Sequence, residues 1–374
     1  MRRTLRRQRA AGVVAVVMTV AIAMSACTTG WGQELAWPWE DPEPLPTPTE
    51  TTAAETEVRK AAPPKPAPKP VYWPLTGIPG NEAAMRHPAV SVKIENAPEA
   101  RPTRGLEHAD IVWEEVVEGG ITRFVATYHS TLPDAVEPVR SVRPMDAAIV
   151  APMKGILAYS GGQLPFIDQV NRVSTQSVIM DDGHAGFSRD PSRAAPHNVI
   201  GRPKVFLAQE REDMRLYSPP PAQFSYAHEK GERSSAATQG RKAGTLKVRL
   251  SNRQTTNWYW NGESGTYKRS EGAAPSMAMS GVRHGARNVV ALKMDVVMTS
   301  YTDPSGASVP ETQLVGSGEG FVASQGRVVK VRWEKPRVGA SIQLELENGK
   351  PVKLAPGNTW VELVPRSSGS WSVP

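Results

Sequence analysis

Two kinds of apolar pattern divide this chain. Ala89–Glu95, Asp110–Val117 and Ile121–Tyr128 are short β-branched or aromatic runs and predict strands. Glu118-Gly119-Gly120 separates the last two, as in a hairpin. Met145, Ile149 and Met153 recur at helical spacing and predict a short helix within Pro144–Lys154. Gly155–Ser160 reads as a buried strand ending at Gly161-Gly162, and Phe166–Val170 and Arg202–Arg211 as further helices. Leu216–Gly244, with Pro219-Pro220-Pro221, marks a loop or boundary. The second half predicts strands almost throughout: Thr245–Ser251, Thr256–Trp260, Asn288–Thr299, Gln313–Val315, Gly320–Ala323, Val328–Trp333, Ser341–Leu346 and Thr359–Leu363. Asn348-Gly349 suits a tight hairpin. Strands at this spacing point to a barrel or sandwich-like unit. No internal repeat is visible.

The N-terminus follows a third pattern. Met1–Arg9 holds five arginines, and 17 mostly apolar residues follow, ending Met24-Ser25-Ala26-Cys27. A basic stretch, an apolar stretch and small residues before a cut site form a secretion signal. Cys27, the one cysteine, sits where a bacterial lipoprotein is diacylated and cleaved. The alternative is an uncleaved anchor, since the apolar run is near the minimum for a spanning helix. In both readings the arginines stay inside and the rest of the chain lies on the extracytoplasmic face of the cell membrane. Residues 1–26 are thus expected to be signal peptide. Residues 27–70, rich in Pro, Thr and Glu, are expected to be a disordered tether, with reach on the order of 100 Å.

Charge changes with this division. The chain carries +7, and removing five arginines with no acid leaves +2. The basic balance belongs largely to the signal and gives no reason to expect a nucleic-acid partner. With one cysteine there are no intrachain disulfides or thiolate metal sites. The seven histidines form no zinc-type motif, and Gly316-Ser317-Gly318-Glu319-Gly320 lies between strands, the wrong setting for a dinucleotide fingerprint. No metal or cofactor is expected.

Several motifs are polar and rich in Gly and Arg: Pro74-Leu75-Thr76-Gly77-Ile78-Pro79, Arg101-Pro102 with Gly105-Leu106, Ala109-Asp110-Ile111-Val112, Glu118–Phe124, Pro138–Pro144, and Arg189-Asp190 with Arg193–Asn198. In these the chain resembles the YerB-like lipoproteins of Gram-positive bacteria, a domain of unknown function with N- and C-terminal parts. The resemblance spans about residues 73 to 365. It implies an α/β fold: a layered α/β part, 71–230, packed with a β-rich part, 245–367. It implies no settled activity.

Polar residues at turns are the site candidates. If Val136–Ser141 is a strand and Pro144 opens a helix, Arg140, Ser141 and Arg143 lie where free amides and two guanidiniums favour a carboxylate or phosphate. The alternative pairs these arginines with Glu114, Glu115 or Glu118. Glu118 and Arg123 flank the glycine turn, either approaching a ligand or forming a local ion pair. Arg189, Arg193, His197 and Asn198 complete the set. His197 is a candidate base that Asp190 would orient, though no nucleophile accompanies it and no catalytic residue is assigned. The expected role is binding or scaffolding of a cell-wall polymer or envelope protein through an Arg-rich cleft. The alternative is a wall hydrolase or transferase using His197 and Asp190, or Glu118.

Overall fold

The computed structural model describes residues 70–374. The signal, Cys27 and the tether up to residue 69 lie outside the described residues.

The first half supplies five strands of the main sheet: β1 Val90–Glu95, β2 Ile111–Val116, β3 Thr122–Tyr128, β4 Ile156–Tyr159 and β5 Gln176–Ile179. A small hairpin, β6 Phe187–Arg189 and β7 Val199–Gly201, stands apart. Three short helices accompany them, α1 Asp146–Val150, α2 Leu164–Asn171 and α3 Pro203–Leu207. The second half adds α4 Ser235–Gln239 and ten strands of three or more residues. These are β8 Thr245–Arg249, β9 Thr255–Asn261, β10 Thr266–Glu271, β11 Asn288–Thr302, β12 Ser308–Gln313, β13 Gly316–Ser324, β14 Arg327–Lys335, β15 Gln343–Leu346, β16 Thr359–Pro365 and β17 Ser370–Ser372.

The expectation of a layered α/β part packed on a separate β-rich part needs correcting. One mixed sheet runs through both halves, in the order β15-β14-β13-β11-β16-β2-β3-β1-β4-β5. Its hinge is β16, which pairs in parallel with β11 on one side (Asn288↔Thr359 to Met294↔Pro365) and with β2 on the other (Ile111↔Thr359 to Glu114↔Glu362). The helices are too short to form layers. Pro152 follows α1 at once, and where Arg202–Arg211 was expected to be helical only Pro203–Leu207 is. A second sheet, β10-β9-β8-β17, packs against the first.

Alternation along the strands sorts side chains into two cores. Ile111, Trp113, Val125, Leu157, Val361 and Leu363 face α1 and α2. Val92, Ile94, Val112, Phe124, Ala158 and Trp360 face the second sheet and α3. Both faces of the central strands are therefore dry, and the charged residues there are buried with the rest.

Those charges pair. Lys93 bonds to Glu115 and, at 2.8 Å, to Asp146. Burial first, then the neighbouring Asp146, raises the Glu115 carboxyl to about 8. The fold thereby favours the protonated form of Glu115. On the opposite face Arg269 holds Glu114 at 2.6 Å, stands over Trp360 and Phe124, and bonds Glu271. Burial pushes its guanidinium down, but Glu114, Glu271 and Glu362 outweigh that and raise it. Glu362, which accepts from Trp258 Nε1 at 2.9 Å, is raised by burial and by Glu114. This network ties β2, β10 and β16 together.

Candidate functional site

β1 and β4 lie side by side only over Val90–Val92 and Ile156–Ala158. Beyond that they diverge, and the segment Pro138–Val142 enters the gap. Its backbone bonds both strands: Glu95 N to Pro138 O, Arg140 N to Lys93 O, Ser160 N to Arg140 O and Val142 N to Gly161 O. Val136 and Val139 form isolated bridges, so the expected strand Val136–Ser141 is instead a strap. The wedge lies at the carboxyl ends of parallel strands, where open sheets form crevices. Gly162 lets the strap approach, because a Cβ there would collide with the Val142 side chain.

The strap places the predicted arginines. Arg143 Nε donates to Glu118 Oε1 at 2.5 Å, while Nη1 donates to its neighbour Val142 O. Arg123, fully buried, donates from Nη1 to Ser141 O at 2.9 Å. Burial, then Arg143 and Arg140, pull its guanidinium down to about 9. Arg140 lies 3.1 Å from Glu95, whose other oxygen meets His197 Nδ1 at 2.8 Å. Ser141 Oγ faces Ser160 Oγ at 3.3 Å. The Gly119-Gly120 turn has positive φ at both glycines, +64° and +74°, and returns the chain so that Glu118 meets Arg143.

The expected anion site at a helix N-terminus is not formed. α1 begins at Asp146, not Pro144, and has five residues; the Asp146 carboxylate itself accepts the Arg143 backbone N–H at 2.7 Å. The internal pairing considered for the arginines occurs at Arg143–Glu118, while Arg140 finds Glu95.

Arg189 ends β6, and Asp190, Arg193 and Asn198 belong to the loop joining β6 and β7. Arg189 donates to Asn198 Oδ1 at 2.9 Å. Arg193 donates to Ala100 O at 3.0 Å and Pro102 O at 2.5 Å, pinning the loop to the β1 exit. Asp190 accepts from Ser192 N and Oγ and holds the loop turn. It does not orient His197; Glu95 does. Only His197 of this loop joins Glu118, Arg123, Arg140, Ser141 and Arg143. Glu95, Lys93, Glu115, Asp146 and Ser160 complete the cluster; Glu115, weighed as a partner for the arginines, bonds Lys93 instead, and Glu95, Lys93 and Asp146 were not foreseen. The signal for Glu95 and Lys93 was present as charges at alternate strand positions, but that pattern reads as a solvated face.

The formal charges balance: Lys93, Arg123, Arg140 and Arg143 face Glu95, Glu115, Glu118 and Asp146. Most of the cluster is buried, but Arg140 is about one-fifth exposed, as is His197. Among the described residues the Arg140 guanidinium makes no hydrogen bond; the Glu95 carboxylate lies beside it.

Two family models match this chain. Residues 75–215 match the protein of unknown function (DUF3048) N-terminal domain, and residues 246–361 its C-terminal domain. YerB of Bacillus subtilis (strain 168), named as a lipoprotein, is 25% identical over 298 residues, 78% of this chain and 86% of that one. The crystal structure of the B. subtilis YerB protein superposes with a TM-score of 0.67 at 22% identity, covering 81% of this chain and 99% of that chain. At that identity the likeness speaks for the fold.

Proposed function

The chain belongs to the DUF3048 family of unknown function, and on that premise we propose that it is a lipid-anchored envelope protein binding an anionic wall component beside Arg140. The observation that carries the reading is the Arg140 guanidinium, about one-fifth exposed and without a hydrogen bond among the described residues. A guanidinium with unused N–H groups suits a phosphate or carboxylate. Wall polymers and peptide stems supply both.

The anchor rests on Cys27 and its preceding signal, and is supported by the lipoprotein name of the B. subtilis relative. A tether over residues 27–70 would carry the folded part into the wall layer. The enzymatic alternative loses its first pairing, because Asp190 is engaged by Ser192 and Glu118 by Arg143.

The test is co-sedimentation of the detergent-solubilised full chain with purified cell walls, before and after the walls are stripped of anionic polymer and then with peptide carboxylates blocked. Retention that falls with one of these treatments identifies the group. Retention unchanged by both, or no retention at all, rejects the proposal.

A further inference from the structure

Glu95 and Asn96 leave β1 toward opposite faces of the sheet. Glu95 enters the cluster around Arg140, whereas Asn96 borders a separate cavity of about 330 Å³ beneath the second sheet. That volume is at the small end of ligand pockets. Phe124, Pro102, Pro275 and Met277 give it apolar walls. Its polar groups are nearly all committed to one another. Glu271 is occupied on both oxygens, by Arg269 and Ser276 on one and by Gln254 and Arg101 on the other. His284 meets Ser276 Oγ at 3.1 Å and Thr103 Oγ1 at 3.3 Å, one ring nitrogen each. Burial, then Arg269, holds this imidazole down at about 4, so it stays neutral.

Arg101 differs. Its Nε donates to Asn96 Oδ1 at 3.1 Å; its Nη2 donates to Asn96 O at 2.8 Å and Gln254 Oε1 at 3.2 Å. The guanidinium is thereby fixed in orientation, while Nη1 makes no hydrogen bond among the described residues, and about a quarter of the side chain is exposed. A cation entering the cavity would find no carboxylate oxygen unoccupied. An acceptor would find Nη1 preorganised, with apolar walls around the rest of the molecule.

We propose that this cavity binds a small monocarboxylate carried on an apolar body, its carboxylate on Arg101 Nη1 and its body against Phe124, Pro275 and Met277. The site is independent of the one beside Arg140 and lies on the other face of the sheet.

Three probes with one body distinguish the chemistry: 3-phenylpropionate, 3-phenylpropan-1-ol and 3-phenylpropylamine, titrated into the detergent-solubilised full chain by calorimetry. The carboxylate is expected to bind about tenfold tighter than the alcohol, matching one charge-assisted hydrogen bond, with the amine weakest. Met277→Trp, a change at a partly exposed mouth residue, is expected to remove binding, and Arg140→Gln to leave it unchanged. Arg101→Gln is expected to bring the carboxylate and alcohol affinities together. The proposal is overturned if the carboxylate does not bind at concentrations on the order of 10 mM, far weaker than a single good contact on an apolar body should give. It is equally overturned if the amine binds as well as the carboxylate, if Met277→Trp binds like the parent, or if Arg140→Gln removes binding.

Discussion

Single residues carry the sharpest consequences, and Glu115 is one. Its carboxyl is raised from an ordinary 4.5 to about 8, so the folded state holds this proton more tightly than the unfolded chain. The resulting stabilisation is complete below pH 4.5 and is lost as pH rises to about 8. Between pH 5 and 8 the stability of the parent to urea, relative to that of Glu115→Gln, should therefore decline as pH rises. Equal slopes would mean that Glu115 is ionised in the fold. Arg269 makes a second case. Removing it strands Glu114, fully buried, without its partner, and Arg269→Met should cost about 3–5 kcal/mol in urea denaturation. The binding candidates Arg140, Ser141, Arg143, Glu118 and His197 were legible because arginines, glycines and a histidine at turns serve no apolar packing. Glu95 and Lys93 were not. They alternate with Val90, Val92 and Ile94, and sequence cannot distinguish a wet face from one roofed by α1 and the strap.

At the scale of elements, β16 decides whether the fold exists. It is flanked by β2 and β11, and Leu363 is completely buried. Leu363→Ala should destabilise by about 2–5 kcal/mol, in a single unfolding transition seen by both far-UV circular dichroism and tryptophan fluorescence. A chain cut before Thr359 leaves β2 and β11 with unpaired edges and should lose most of its amide protection in hydrogen exchange. Survival of protected β1–β5 amides in that truncation would show that the first half folds without β16. Local pattern located most strands of both halves, because their β-branched and aromatic runs match a period of two. It missed β10, Thr266–Glu271, whose Lys268, Arg269 and Glu271 look like a solvated loop although Arg269 is buried. It also made too much of the helices, since apolar residues at helical spacing do not show where Pro152 or a tight turn will stop the element.

For the whole molecule, the division into two matched family segments coexists with one continuous sheet. The pairing of Ile111 with Thr359 joins positions 248 residues apart, and no local pattern encodes such a partner. The strap at Pro138–Val142 was unreadable for the same reason, because its bonds go to β1 and to the end of β4 rather than to neighbours in sequence. The anchor makes its own prediction: Cys27→Ser should move the protein from the membrane fraction to the soluble or secreted fraction, and retention in the membrane would favour an uncleaved span. The central claim is recognition of an anion beside Arg140. Its most direct measurement is a calorimetric titration of purified anionic wall polymer into the full chain and into Arg140→Gln, with the melting temperatures of the two proteins compared. The account predicts binding that weakens about tenfold or more in Arg140→Gln while the melting temperature changes little, as expected for losing a charge-assisted contact at a partly exposed side chain. Equal affinities, or a parent protein that binds nothing, would contradict it.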